Sequence, residues 1–206
     1  MAWRHVYPGN IRDIVVARSE DHGSTWSDPI RVHADNWNFE ACPHAGPAIA
    51  LGSDATLHVA WWTGKEGSAG VYYTKSTDGA KTFSEPIALG VAQFSKPAHV
   101  QLALSSDKKV IVAWDDGTKK LAQVLVRVSD DNGLHFGEPS TVSAPGRVAT
   151  FPVLGISGNS VAIAWSEESP AAAQQSDEAA PKDKTAPRGL RAVGEAQVLV
   201  RRGVLQ

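Results

Sequence analysis

Three arginines, two aspartates and a handful of ring side chains are the groups in this sequence whose types suit work on a ligand. Arg4, Arg12 and Arg147 each carry a planar guanidinium that can hold a carboxylate through paired hydrogen bonds. Asp13 and Asp115 are the acids placed to protonate a leaving oxygen. Trp37, His44 and His99 supply further surface for binding. Arg12 and Asp13 are adjacent, and an ion pair at the mouth of a hairpin is the structural alternative for them. The tripeptide Cys42-Pro43-His44 also admits two readings. A thiolate and an imidazole could supply two ligands to a soft or borderline metal, with His5 or His99 as a third. Alternatively, Cys42 is a small buried apolar residue and His44 a cap. No cofactor is expected.

These groups lie between recurring apolar runs, which are the elements that must position them. Ala-Trp ends an apolar run four times, at Trp3, Trp61, Trp114 and Trp165, spaced 58, 53 and 51 residues apart. A polar connection and a second alternating run follow each: DIVVARS (13–19), GVYYTKS (70–76), QVLVRVS (123–129) and QVLVRRG (197–203). Shorter runs at 28–32, 85–89 and 138–142 come after three of these, and GPAIAL (46–51), VQLAL (100–104) and FPVLGIS (151–157) precede three of the Ala-Trp runs. Val and Ile enrichment, near-alternation, and Gly, Asp, Ser and Pro between runs predict strands. Four strands, A to D, in about 50 residues is the signature of a β-propeller blade. The expected fold is all-β: an incomplete β-propeller of about three and a half four-stranded blades. It forms a single partial domain over 1–206, with blades at about 1–34, 45–92, 98–144 and 150–206.

Counting strands gives three, four, four and three, which leaves open sheet edges. Open edges imply missing blades or self-association. The stretch 169–189, SPAAAQQSDEAAPKDKTAPRG, is poor in large apolar residues, so a mobile hairpin insertion is expected there.

Composition narrows the function. The 206 residues carry 20 Lys+Arg against 22 Asp+Glu, a net charge of −2, which gives no general affinity for nucleic acid. Apolar residues make up 42%, enough for a core, yet no apolar run approaches the length of a membrane span. One cysteine excludes an internal disulfide. The opening MAWRHVYPGN has no uninterrupted apolar stretch, so no signal peptide is expected within this chain.

The turns after three of the alternating runs carry a motif. Ser19, Asp21, Gly23, Thr25 and Trp26 fit S-x-D-x-G-x-T-W/F fully. Ser76, Asp78, Thr82 and Phe83 fit with the glycine one place early, at Gly79. Ser129, Asp131, Gly133 and Phe136 fit with His135 in place of Thr. A short carboxylate that accepts backbone N–H groups across a tight turn, a glycine free to take positive φ and a ring packed beneath make a structural staple. Asp21, Asp78 and Asp131 are therefore expected to hold turns, and each turn has too few carboxylates for calcium.

This motif, at blade spacing, resembles the Asp-box, or BNR repeat, of the sialidase-like propellers. The resemblance covers nearly the whole chain except 169–189. It implies a six-bladed parent, of which this chain is somewhat over half, with ligand bound where the D-to-A and B-to-C connections emerge. It further implies an exo-sialidase-like glycoside hydrolase acting on acidic glycans, secreted or periplasmic, in which Arg4, Arg12 and Arg147 bind the carboxylate. Asp13 or Asp115 would be the acid, and Trp37, His44 and His99 would contact the sugar. True sialidases add a Tyr nucleophile, but Tyr7, Tyr72 and Tyr73 are all early in the chain and no F/Y-R-I-P motif is present. The chain alone is thus not expected to be an active sialidase. The alternative is a non-catalytic propeller module that binds a glycan or a protein.

Overall fold

The structure is a computed structural model that describes residues 1–41, 44–91, 97–170 and 196–205. Cys42 and nearly all of the expected insertion lie outside the described residues. The described residues form four antiparallel sheets in chain order. The first contains β1 (Ala2–Tyr7), β2 (Ile11–Val16) and β3 (Ile30–Arg31). The second contains β4 (Ala48–Leu51), β5 (Leu57–Thr63), β6 (Gly70–Ser76) and β7 (Ile87–Val91). The third contains β8 (Gln101–Leu104), β9 (Val110–Asp116), β10 (Gln123–Ser129) and β11 (Ser140–Thr141). The fourth contains β12 (Val148–Ser157), β13 (Ser160–Glu168) and β14 (Ala196–Val204). Every pairing joins strands consecutive in sequence, so each sheet is a meander, and the counts of three, four, four and three are those the repeats predict. The molecule is an incomplete β-propeller. None of its helices is long and apolar enough to cross a membrane, among the described residues.

Burial on both faces explains why the central strands read as continuous apolar runs. Along β5, Val59 and Trp61 face the first blade, packing with Ile14, Val16 and Val32. Ala60 and Trp62 point the other way, to Val110, Val112 and Trp114 of the third blade. Period-two alternation thus sends each face of one strand into a different core. The third junction joins Ala113 and Val124 to Ala149, Ile163 and Trp165. Trp61, Trp114 and Trp165 each fill the seam toward the preceding blade, which is why the Ala-Trp pair recurs. The Trp61 indole N–H also donates to Asp35 Oδ2 at 2.9 Å. The inner strands β4, β8 and β12 adjoin in that order.

The three aspartate turns close the C-to-D connections in one way. Asp21 Oδ1 accepts from the Thr25 N–H at 2.8 Å, and its Oδ2 accepts from the Thr25 hydroxyl at 2.6 Å. Asp78 does the same with Thr82. Asp131 accepts from the His135 N–H at 2.9 Å and pairs with His135 Nδ1 at 2.7 Å, so the imidazole takes over the threonine's role. These bonds to the charged form hold the Asp21 carboxyl at about 2, the largest contribution coming from the Thr25 hydroxyl, and they lower Asp78 and Asp131 too. Two successive residues take positive φ in each turn: His22 and Gly23, Gly79 and Ala80, Asn132 and Gly133. That is the reason the second copy tolerates its glycine one place early.

Candidate functional site

In an antiparallel meander the B-to-C and D-to-A connections share one end of the blades, opposite the aspartate turns. The first B-to-C connection is shorter than the sequence suggests. Pro8, Gly9 and Asn10 make the whole turn, with Gly9 and Asn10 at φ of 77° and 56°. Arg4, His5 and Tyr7 therefore lie on β1, and Arg12 and Asp13 on β2. Because neighbouring strand residues face opposite ways, Arg12 and Asp13 diverge. The Arg12–Asp13 ion pair, the structural alternative for these two residues, does not form; Asp13 pairs with Arg31 instead, at 3.4 Å.

Arg4 is a cross-blade clamp. Its guanidinium donates to the carbonyls of Ala45 (3.2 Å), Arg12 (3.2 Å) and Trp62 (2.5 Å) and lies 5.1 Å from the Trp37 ring centre. Burial lowers its pKa to about 10. Trp37 is itself buried, stacked on Phe39 at 4.7 Å and edge-on to Trp62 at 5.2 Å. Asp13 is fully buried and accepts the N–H groups of Asn36 (3.3 Å) and Trp37 (3.4 Å), fixing the D-to-A connection to the sheet. Arg12 differs. Its Nε donates to the Phe39 carbonyl at 2.6 Å, while its Nη groups make no hydrogen bond among the described residues. His44 is exposed at φ 52°, one residue before the carbonyl that anchors Arg4.

A second group forms where the second D-to-A connection meets blades three and four. Asp115, at the end of β9, is buried and accepts three hydrogen bonds. They come from the His99 N–H (2.5 Å), His99 Nδ1 (2.7 Å) and the Phe151 N–H (3.0 Å). In the third group, Arg147 Nε lies 3.3 Å from Glu167 Oε1, and the Trp165 indole donates to Glu167 Oε2 at 3.1 Å. The structure thus brings Arg4, Arg12, Asp13 and Trp37 together, and His99 with Asp115, and it sets Arg147 with Glu167. Among the described residues, no cluster of three or more His, Cys, Asp or Glu side chains is placed to hold a metal.

Two participants escaped sequence reasoning. Arg31 stacks 3.9 Å from the Tyr7 ring centre, but its short strand gave no sign of reaching Asp13. Phe151 stands in a register shift between Thr150 and Val153 at φ 55°, a conformation an aromatic residue does not advertise.

Four meander sheets with tryptophan seams and aspartate turns define a propeller of the repeat type. The chain belongs to the BNR repeat-like domain family, which it matches over residues 6–179. No curated protein matches it. Among solved structures it is similar to a protein of unknown function from Dyadobacter fermentans (18% identity, 80% of this chain and 53% of that one, TM-score 0.56). It is also similar to a polysaccharide lyase of family PL25, an ulvan lyase bound to -[GlcA(1-4)Rha3S]- (12% identity, 82% and 43%, TM-score 0.57). A Hadza microbial sialidase is a third relative (17% identity, 75% and 35%, TM-score 0.53). At these identities the likeness is one of fold, and the chain spans about half or less of the length of each.

Proposed function

We propose that the protein takes acidic glycans at the end of the blades where the B-to-C and D-to-A connections emerge. In this reading the activity of the longer propeller is that of a secreted or periplasmic glycoside hydrolase of exo-sialidase type. The observation that carries the proposal is Arg12. One nitrogen is fixed to the Phe39 carbonyl and, among the described residues, the terminal pair makes no hydrogen bond, at a connection that carries Phe39 and His44. A guanidinium fixed at Nε keeps its paired donors in one orientation, which suits a sugar carboxylate. The sialidase and the ulvan lyase among the structural relatives support a glycan as ligand. A second reading, glycan binding without chemistry, is favoured by one specific observation. The Asp13 and Asp115 carboxylates are both buried and occupied by backbone N–H groups, leaving neither placed to protonate a leaving oxygen.

A fluorogenic sialoside and a labelled sialyl-oligosaccharide separate the two. Turnover that disappears in Arg12→Ala supports the hydrolase, and binding without turnover, lost in Arg12→Ala, supports the module. Failure to bind or turn over either probe refutes both.

A further inference from the structure

The Asp115 carboxylate is an acceptor only, so the 2.7 Å contact with His99 Nδ1 requires that Nδ1 carry the hydrogen. In the neutral ring that leaves Nε2 as the acceptor, and Nε2 makes no hydrogen bond among the described residues. The imidazole is held a second time through its own backbone N–H, on the other oxygen of the same carboxylate. Its direction is therefore set by a buried group, not by solvent.

Beside it stands Phe151, whose ring centre lies 4.2 Å from that of His99 at an interplanar angle of 38°. Phe151 is on β12, an inner strand, near the end where that strand enters from the D-to-A connection. Its φ of 55° is a left-handed conformation that is strained for a non-glycine residue. The conformation comes with a register shift, and the Phe151 N–H is spent on Asp115. The ring gains no core burial in return, because Phe151 is 56% exposed. Backbone strain that keeps an aromatic face in solvent, next to an oriented imidazole, is the pattern of a ligand platform.

We propose that Phe151, His99 and Asp115 form a sugar subsite. The exposed phenyl face packs on the apolar face of a pyranose ring, His99 Nε2 accepts a hydrogen bond from a ring hydroxyl, and Asp115 is the positioning residue. This rests on the reading of this end of the propeller as the glycan site, and it places a second contact region apart from Arg12.

The test uses the full chain with two probes, sialyllactose and a glucuronate disaccharide, titrated by calorimetry. Phe151→Asn keeps a residue tolerant of positive φ while removing the ring, and it is expected to weaken binding about tenfold. Phe151→Trp restores the platform and is expected to bind like the unaltered chain. His99→Asn keeps an amide donor to Asp115 and loses Nε2, with a similar loss expected. Nitrogen-15 NMR of the imidazole should show Nδ1 protonated and Nε2 bare in the free protein. Unchanged affinity in Phe151→Asn and His99→Asn, alongside loss in Arg12→Ala, overturns the subsite and leaves the Arg12 reading standing. Loss in the first two with none in Arg12→Ala does the reverse. An Nε2-protonated tautomer, or no binding of either probe, also overturns the subsite.

Discussion

Acidification should loosen the seam between the second and third blades through His58. This residue lies on β5 with no exposed surface, its Nδ1 2.6 Å from the Tyr73 hydroxyl and its Nε2 buried with no hydrogen-bond partner among the described residues. Burial, then the Lys75 charge, lower its pKa from 6.5 to about 4. Tyr73 in turn supports the third aspartate turn: a Cβ built on Gly133 would stand 1.9 Å from its hydroxyl, and Phe136 packs edge-on at 4.9 Å. Because the folded pKa lies below the unfolded one, the unfolded chain binds the proton first. Stability is complete above about pH 6.5 and is lost as pH falls toward 4. The full shift corresponds to about 3 kcal/mol, of which about 2 kcal/mol is gone by pH 5. Urea unfolding at pH 7.5 and pH 5.0 reads this directly, with the double variant His58→Leu/Tyr73→Phe as reference. Replacing both partners avoids leaving an orphaned hydroxyl. The unaltered chain should lose about 2 kcal/mol more than the double variant between the two pH values. Equal losses, or a His58 NMR titration centred near 6.5 in the folded protein, would show that burial of His58 does not set this pH dependence.

Other consequences follow from individual contacts. Gly133→Ala drives a methyl into the Tyr73 hydroxyl at φ 77° and should cost roughly 3 kcal/mol or prevent folding. Gly9→Ala, at the same φ but with open space around it, should cost only about 1 kcal/mol by the same urea assay. Arg4→Lys cannot reach three carbonyls with one ammonium and should lower stability by about 2 kcal/mol, with no rescue by salt. The Asp21 carboxyl should titrate near 2 by carbon-13 NMR, so its turn stays closed above about pH 4 and opens as pH falls toward 2. A midpoint near 3.8 would show that the Thr25 hydrogen bonds do not form.

The strand order was legible because each junction demands the same residue types. An Ala-Trp pair fills every observed seam, and three of the four C strands run into a serine–aspartate turn. Those constraints are local and periodic, so they survive in sequence. The site was less legible, because its geometry depends on which face each residue takes. Arg12 and Asp13 are neighbours in sequence and opposites in space, and only the three-residue turn at Pro8–Asn10 settles that. Arg4 reads as a ligand group but is tied to three carbonyls, two of them from segments more than 40 residues away. Trp37 reads as a sugar contact and is instead buried beneath Arg4. Phe151 left no trace, since nothing in FPVLGIS marks a left-handed residue. His99 and Asp115 were singled out separately, and their pairing emerged only when the second D-to-A connection was seen folded against β9.

The most direct measurement is amide chemical-shift mapping of the full chain titrated with sialyllactose. Saturable shifts are expected, confined to the end of the blades that carries Arg12, Phe39, His44, His99 and Phe151, with the amides around Asp21, Asp78 and Asp131 unmoved. Shifts centred on those aspartate turns, or none at any concentration, would contradict the proposed glycan site.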